Sequence, residues 1–288
     1  MRYVVHVFFQ GLYASLEAAS SNKAWSAQHG AMIFRDGRVF DMTEPLVHKG
    51  IRFGMKSTTA ERLAPLAVAT DYSDHRFIEL FHPLWRSVWD FTPWIETAER
   101  ELFFELSDEE NLRQEMQGIL QQWQKEFPFT DWKVFGGIGK NKLIAKMASR
   151  VAYKGRTRNM PIFRAANHAI LFVVDQNAWM QSAQVKDLWP LPMHIRQRLQ
   201  ELGVYTVSDL LDVPETDLYT HFGKEAVLWR LLAKGEDRSS IRVNFPPVIK
   251  EVHWHARFQL HLRYGRQVFV QLPPLVAKKK QASGPKDV

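Results

Sequence analysis

The spacing of apolar residues predicts a chain that mixes buried strands with helices. The run YVVHVFF at positions 3–9 is rich in aromatic and β-branched residues and predicts a buried strand. ELFFELS at 101–107 predicts a second buried strand, and DWKVFGGIG at 131–139 predicts a third. AMIFRDGRVFD at 31–41 predicts a hairpin, because an Asp-Gly pair lies between two apolar runs.

Segments with helical spacing fill the intervals between these strands. They are LYASLEAAS at 12–20, KSTTAERLAPLA at 56–67, FIELFHPLWRSVWDFTPWIE at 77–96 and SDEENLRQEMQGILQQWQKEFP at 107–128. Short helices are predicted from about 176 to 235. This order of elements predicts an α+β sheet domain with a helical domain behind it.

The amino-acid composition excludes several kinds of site. Its 288 residues are enough for two or three domains. It has no cysteine, which excludes disulfides, thiolate zinc sites and a cysteine nucleophile. The first residues lack the pattern of a signal peptide, and no apolar run approaches the about 20 residues of a membrane span. We expect a soluble, cytoplasmic protein with no membrane partner.

The charge of the chain favours a polyanionic partner. Lys and Arg number 38 against 31 Asp and Glu, so the formal net charge is +7. Nucleic acid is the partner that this excess fits best, and a merely basic surface is the alternative.

The segment GGIGKNKLIAKMASR at 136–150 concentrates part of this charge. A glycine-rich turn that leads into a basic helix is suited to phosphate, because backbone amides at a helix start attract anions. The segment is no Walker A motif, since Val134 stands where that motif needs glycine. The alternative is a tight turn before a solvated helix face. The candidate phosphate contacts are Lys140, Lys142, Lys146 and Arg150.

A second basic region lies in the predicted helical domain. IRQRLQEL, a turn at Gly203 and TVSDLLDV follow the helix-turn-helix pattern of a helix-hairpin-helix unit. Thr206 or Ser208 is the predicted N-cap of the second helix. Arg196 and Lys224 are the candidate DNA contacts here, and a packing module of small helices is the alternative.

These segments resemble the Y-family DNA polymerases. VFGGIGKNKLIAKMAS is similar to the family motif S-x-G-I-G-x-N-K-x-x-A-K-x-A-S, and FFQGLYASLEA resembles its N-terminal motif. The segment 188–235 resembles the family's thumb. The resemblance implies an α+β palm with inserted fingers and a small all-helical thumb. It implies a palm at 1–165, fingers at about 11–70, a thumb at 166–236, a linker at 237–250 and a C-terminal segment, with a truncated or absent little finger, at 251–288.

The resemblance also implies two magnesium ions held by carboxylates, and the matching positions mostly lack them. Phe8 and Gln10 stand at the two N-terminal aspartates, Arg100 stands at a third, and Glu101 alone keeps its carboxylate. Magnesium needs hard oxygen ligands, and one glutamate cannot hold two ions. The sequence therefore predicts a protein that is not an enzyme and has no metal or cofactor.

PLPMHIRQRLQELGVYTVSDLLDVP and FPPVIKEVHWHARF resemble the catalytically silent ImuB-type branch of this family. That resemblance implies a scaffold in bacterial DNA-damage tolerance, including translesion synthesis and SOS mutagenesis. It also implies primer-template or single-stranded DNA, a sliding clamp, a recombinase-like partner and an error-prone polymerase as partners. Two alternatives stay open: a nucleotidyltransferase that uses Glu99, Glu101 and Glu105, and a protein-interaction module without DNA binding.

Three further patterns have competing interpretations. FQLHLRYG approximates a clamp-binding peptide, although its period of two also fits a strand. Alternating histidines in VHWHARFQLHL invite a metal site, but a half-exposed strand fits better. LWRSVWDFTPW at 84–94 suits base stacking or, more simply, core packing. The candidate clamp contacts are Gln259, Leu260, Leu262 and Tyr264.

Overall fold

The computed structural model describes most of the chain. It covers residues 2–20, 28–106, 109–128, 131–155, 162–165, 168–244, 260–261 and 267–268. Residues 1–250 form one compact unit and residues 251–288 form a second. Within the covered ranges, no helix combines the length and the apolar character that a membrane crossing requires.

A six-stranded sheet, counted over the described residues, forms the centre of the first unit. Strand β1 lies inside it, antiparallel to β6 on one side and to β7 on the other, and β7 runs parallel to β9. In spatial order the strands are β5 (Ile95–Ala98), β6 (Glu101–Leu106), β1 (Tyr3–Gln10), β7 (Lys133–Gly139), β9 (His168–Phe172) and β8 (Ile162–Ala165).

Helices pack on both sides of this central sheet. On one side, which we call the α5 face, Phe9 of β1 contacts α4 (Asp74–Trp89) and α5 (Glu109–Glu126). On the other side, the α6 face, His6 contacts α6 (Lys142–Tyr153). Apolar residues on both faces of β1 thus bury the strand, as its sequence predicts.

A smaller lobe with its own core is inserted after α1 (Leu12–Ser20). Its predicted hairpin is confirmed, since Asp36 and Gly37 both have the positive φ angles of a tight two-residue turn. A parallel strand then joins the hairpin. The small lobe consists of β2 (Ala31–Arg35), β3 (Arg38–Met42), α2 (Glu44–His48), α3 (Ser57–Leu63) and β4 (Val68–Asp71).

The helical lobe follows the central sheet in the chain. Its helices share a core with the inner side of α6, in which Leu199 and Trp229 are buried. The predicted N-cap Thr206 is confirmed, because its side chain and that of Asp209 form a capping box. The helices are α7 (Gln176–Ser182), α8 (Met193–Glu201), α9 (Val207–Asp212), α10 (Glu215–Phe222) and α11 (Glu225–Ala233).

The segment after α11 returns to the edge of the central sheet. Ile241 is buried there. The Asn244 backbone N–H donates to Ile95 O at 3.2 Å. The Asn244 side-chain amide accepts from Thr97 N at 2.6 Å and donates to Thr97 O at 2.8 Å. One residue thereby pairs with β5 as a strand would.

Two sequence predictions need correction in detail. The predicted helix at 77–96 ends earlier, at Trp89, and its last residues form the start of β5 instead. The glycines at 136, 137 and 139 lie within β7 rather than in a turn. A Cβ on Gly137 would lie 2.1 Å from Ala145 O, so glycine is needed there for α6 to pack directly on the sheet.

The second unit is described only in two short strands. β10 (Leu260–His261) pairs antiparallel with β11 (Gln267–Val268). Of the predicted clamp contacts, Leu260 lies in β10, whereas Gln259, Leu262 and Tyr264 lie outside the described residues. His253 and His255 of the histidine-rich pattern lie outside them as well. The clamp interpretation and the interpretation of the histidines therefore both stay predictions.

Candidate functional site

The central sheet brings three of the four predicted site positions to one place on its α6 face. Phe8 on β1 pairs in register with Glu101 on β6, and Arg100 directly precedes that strand. The Arg100 guanidinium lies 5.0 Å from the ring centre of Phe8 and 4.2 Å from that of Phe53. Gln10, the fourth position, is buried at the end of β1. The site therefore contains a cation among aromatic rings.

Asp41 is a carboxylate of this site that sequence reasoning missed. Its Oδ1 lies 3.6 Å from Arg100 Nη1. Its two oxygens accept hydrogen bonds from Gly11 N at 2.9 Å and Ala14 N at 3.1 Å, at the start of α1. Burial raises the pKa of Asp41, and Arg100 with these bonds opposes the rise. Asp41 ends the hairpin in sequence, where no motif marks it.

Arg100 keeps unused hydrogen-bonding capacity. Its Nε and Nη1 atoms are buried and have no hydrogen-bond partner among the described residues. Burial lowers the pKa of Arg100, while the neighbouring carboxylates raise it. The stabilisation that hydrogen bonds would give comes instead from the nearby Asp41 charge and from the aromatic faces.

Glu101 is held in a charged, largely buried network. It forms an ion pair with Lys146, and its Oε2 lies 3.6 Å from His6 Nε2. Nδ1 of His6 lies 2.6 Å from Ser149 Oγ. Burial alone would raise the pKa of Glu101, but His6 and Lys146 outweigh burial and lower it to about 2. Burial lowers the pKa of His6 to about 4.

These side chains do not fit the two magnesium ions that the resemblance implies. Glu101 already has Lys146 as its counter-ion, Arg100 adds a positive charge beside it, and Phe8 offers no oxygen. In the part of the chain that the structure describes, no three His, Cys, Asp or Glu side chains group together as metal ligands would.

The structure places two of the predicted phosphate contacts inside the protein. Lys142 is buried and binds both carboxylate oxygens of Glu96, at 2.8 and 2.7 Å. Lys146 is buried against Glu101. Neither ammonium group is positioned for a DNA phosphate, because each already has a carboxylate partner. The geometry thus corrects the interpretation of these two lysines.

The start of α6 is also occupied by the protein itself. Asn141 Oδ1 accepts from Ile144 N at 3.0 Å, and Asp237 Oδ2 accepts from Leu143 N at 3.0 Å. These side chains take the amides that an anion at a helix N-terminus would use. The segment 136–150 therefore supports helix packing and capping instead of a phosphate cradle.

The other predicted basic contacts lie at or near the surface. Lys140 and Lys224 are exposed, while Arg150 and Arg196 are half-buried. Burial is the main cause that lowers the pKa of Arg196 on α8; the charge of Arg150 on α6 also lowers it, and the charge of Asp187 opposes the fall. Arg196 Nη1 donates to Lys186 O at 3.0 Å. Cationic side chains at the surface attract anions.

The tryptophan-rich segment 84–94 serves mainly as core. Trp85 is buried with the aromatic residues of α4, which agrees with the packing interpretation. Trp94 is the exception, being 43% exposed.

Known proteins have sequences similar to that of this chain. Residues 7–150 match the model of the impB/mucB/samB family. A DNA polymerase IV of Desulfatibacillum aliphaticivorans is 23% identical over 245 residues, which are 81% of this chain and 57% of the relative. A DNA polymerase IV of Methanosarcina acetivorans is 31% identical over 107 residues, 37% of this chain and 26% of the relative. The chain thus spans about half or less of these relatives' length.

Solved structures share the fold. A Dbh ternary complex superposes with a TM-score of 0.68 at 17% identity, covering 84% of this chain and 69% of that one. A post-insertion binary complex of Dbh DNA polymerase gives 0.67 at 17% identity, covering 83% and 69%. The predicted α+β, Y-family-like fold is confirmed.

The same comparisons overturn the prediction that the chain is not an enzyme. The two relatives are named DNA polymerase IV, and the Dbh neighbour is named a DNA polymerase. The prediction rested on the side chains at motif positions such as Phe8 and Arg100. None of these relatives supports the ImuB-type branch.

Proposed function

Because the chain belongs to the impB/mucB/samB family, we propose that it binds primer-template DNA during DNA-damage tolerance. The observation that carries the proposal is that four of the predicted basic contacts remain at or near the surface, on α6 and α8 or just before α6 and α11: Lys140, Arg150, Arg196 and Lys224. DNA phosphates supply the negative charge that attracts these cations. The net charge of +7 supports the same conclusion.

The exposed lysines complete the proposed contact surface. Lys140 lies just before α6, and Lys224 lies just before α11. Cations at these positions would hold the DNA backbone without reading its sequence, because phosphates are the same at every step. We therefore expect binding that depends on salt and little on sequence.

Titration of DNA affinity against salt tests this function. Replacing Arg150 and Arg196 by Gln removes two phosphate contacts, so the slope of log Kd against log salt falls by up to about two units. Lys125→Ala is the matched control, since this exposed lysine lies on α5, across the sheet. The proposal is wrong if the double variant keeps the parent's affinity and slope.

Templated nucleotide addition is the second candidate function, favoured by the names of the relatives. Primer extension with magnesium or manganese measures it. Glu101 is the one carboxylate kept at the family's motif positions, and Glu101→Gln tests it: a loss of extension with unchanged DNA affinity would assign Glu101 a part in the reaction. Extension that is equal in both proteins would exclude Glu101 from the reaction. Binding to a sliding clamp, to a recombinase-like partner or to a separate polymerase is a further proposal, which pull-down experiments test.

A further inference from the structure

Four aromatic side chains meet on the α6 face, next to Arg100. Tyr153, at the end of α6, lies 5.6 Å from the ring centre of Phe8 and 5.1 Å from that of Phe135. Phe53 of the small lobe lies 5.6 Å from Phe8 and 6.4 Å from Tyr153. We call Phe8, Phe53, Phe135 and Tyr153 the central aromatic cluster. It is assembled from the central sheet, α6 and the small lobe.

The central aromatic cluster remains accessible to solvent. Tyr153 is 38% exposed, and its three neighbours are half-buried. In the apolar core on the α5 face, by contrast, Phe81 and Tyr13 are fully buried. Exposing several rings together costs free energy unless a ligand covers them, because apolar surface favours removal from water.

Two guanidinium groups lie beside this accessible cluster. Arg100 lies against Phe8 and Phe53, on the side towards buried Asp41. Burial raises the pKa of Tyr153, and the charges of Arg100 and Arg52 oppose the rise, so both guanidinium groups act on the Tyr153 hydroxyl. Arg52 itself is exposed.

Rings with cations beside them fit one class of ligand in particular. A nucleobase stacks on an aromatic face, and its phosphate is attracted by nearby guanidinium groups. A paired base is already stacked within its duplex, so an unpaired base gains most from such a surface. We propose that the central aromatic cluster stacks against an unpaired base of bound DNA. This inference rests on the proposed DNA binding and names the group that the α6 face recognises.

Two DNA probes separate the inference from the function on which it rests. One is a blunt duplex, and the other is a duplex of equal length with a single-stranded 5′ overhang carrying 2-aminopurine beside the junction. Stacking on a ring quenches the fluorescence of 2-aminopurine. We expect the parent protein to bind both probes and to quench the overhang probe.

Tyr153→Ala removes the most exposed ring, and Tyr153→Phe keeps it as the matched control. Stacking contributes about 1–3 kcal/mol per base. Tyr153→Ala should therefore weaken overhang binding by about 5- to 150-fold and relieve the quenching. Blunt-duplex affinity should stay unchanged, and Tyr153→Phe should behave as the parent. Thermal unfolding of each variant verifies folding, and Phe53→Leu serves as a second variant if Tyr153→Ala unfolds.

The outcomes are distinct. Equal overhang affinity and equal quenching in the parent and Tyr153→Ala, with blunt-duplex binding retained, overturn the inference and leave the proposed function intact. If the parent protein binds neither probe, both the inference and the proposed function are overturned. An equal loss on both probes also overturns the inference, because Tyr153 would then contact DNA without regard to pairing.

Discussion

The two faces of the central sheet carry aromatic residues in very different surroundings. Phe9 on the α5 face is 1% exposed and contacts Trp123 at 5.3 Å between ring centres. Its neighbour in sequence, Phe8, points to the α6 face, where it meets Arg100 and the exposed Tyr153. Both residues belong to one apolar run. The difference between them comes from what packs above each face, and not from the strand itself.

The charged residues are also distributed unequally between the two faces of the sheet. The α6 face holds His6, Glu101, Lys146 and Arg100 in ion pairs or close contacts. On the α5 face, β1 contributes Val5, Val7 and Phe9 to an apolar core. The α5 face buries apolar side chains against each other. The α6 face buries charged groups, and their ion pairs offset only part of the free-energy cost of desolvation. The α6 face is therefore the side where binding is expected.

The largest effect is expected when the neighbouring rings of Phe9 and Phe8 are each truncated. Phe9→Ala leaves a cavity between α4 and α5, and we expect it to lower the free energy of unfolding by about 3–5 kcal/mol. Phe8→Ala should cost less than half as much, because water already reaches part of this ring. Urea unfolding of both variants measures the difference. Equal losses of unfolding free energy would mean that Phe8 and Phe9 are shielded from water to the same extent.

The second test uses pH. His6 is buried and its folded-state pKa is about 4, below the ordinary 6.5. The unfolded chain thus binds a proton more readily between these values, and stability falls as pH drops from 6.5 towards 4. His168, buried beside Trp132 of the α5-face core, has the same lowered pKa from burial. Each histidine contributes up to about 3 kcal/mol to this fall.

His6→Gln and His168→Gln should each flatten the fall in stability between pH 6.5 and 4. Unfolding free energies measured across this range, with the parent as reference, give the two contributions. If neither substitution changes the pH dependence, both histidines titrate as they do in the unfolded chain.

The third test probes the ion pair on the α6 face. Lys146→Met leaves Glu101 without its main counter-ion, and we expect a loss of about 1–3 kcal/mol, reduced because Glu101 is partly exposed. Glu101→Gln in the same chain should restore part of this loss. A double-mutant cycle in urea measures the coupling. A coupling near zero would show that the pair contributes no net stability.

The smallest effects concern helix caps on the two faces. Asn141→Ala removes the cap of α6, whose bond to Ile144 N is 3.0 Å long, and should cost about 1 kcal/mol. Ser73→Ala removes the cap of α4 on the other face, whose bond to Arg76 N is 3.4 Å long. The longer bond should contribute less, and thermal unfolding compares the two. A larger loss for Ser73→Ala would reverse this ranking.

Much of the fold could be predicted because its signals are local. Runs of β-branched or aromatic residues predicted β1, β6 and β7, and Asp36-Gly37 predicted the hairpin turn. β5 was missed, because its four residues follow a helical pattern and only pairing with β6 makes them a strand. Short edge strands carry little periodicity of their own.

The site was harder to predict because its partners are distant in sequence. Lys142 and Lys146 have the spacing of a solvated helix face, yet their counter-ions Glu96 and Glu101 come from β5 and β6, which lie 46 and 45 residues earlier in the chain. The meeting of Asp41 and Arg100 likewise depends on how the small lobe folds back. Sequence identifies the residue types, but the tertiary fold decides which charges are already neutralised.

The contact of Asn244 with β5 has a consequence for solubility. An edge strand presents unpaired N–H and C=O groups that another chain can extend by pairing. Asn244 occupies Ile95 O together with the N–H and C=O of Thr97, so these groups are no longer open to a second molecule. Asn244→Ala would keep the backbone bond to Ile95 O but uncover the N–H and C=O of Thr97. The expected result is faster concentration-dependent aggregation, measured by light scattering, of a chain whose fold is otherwise unchanged.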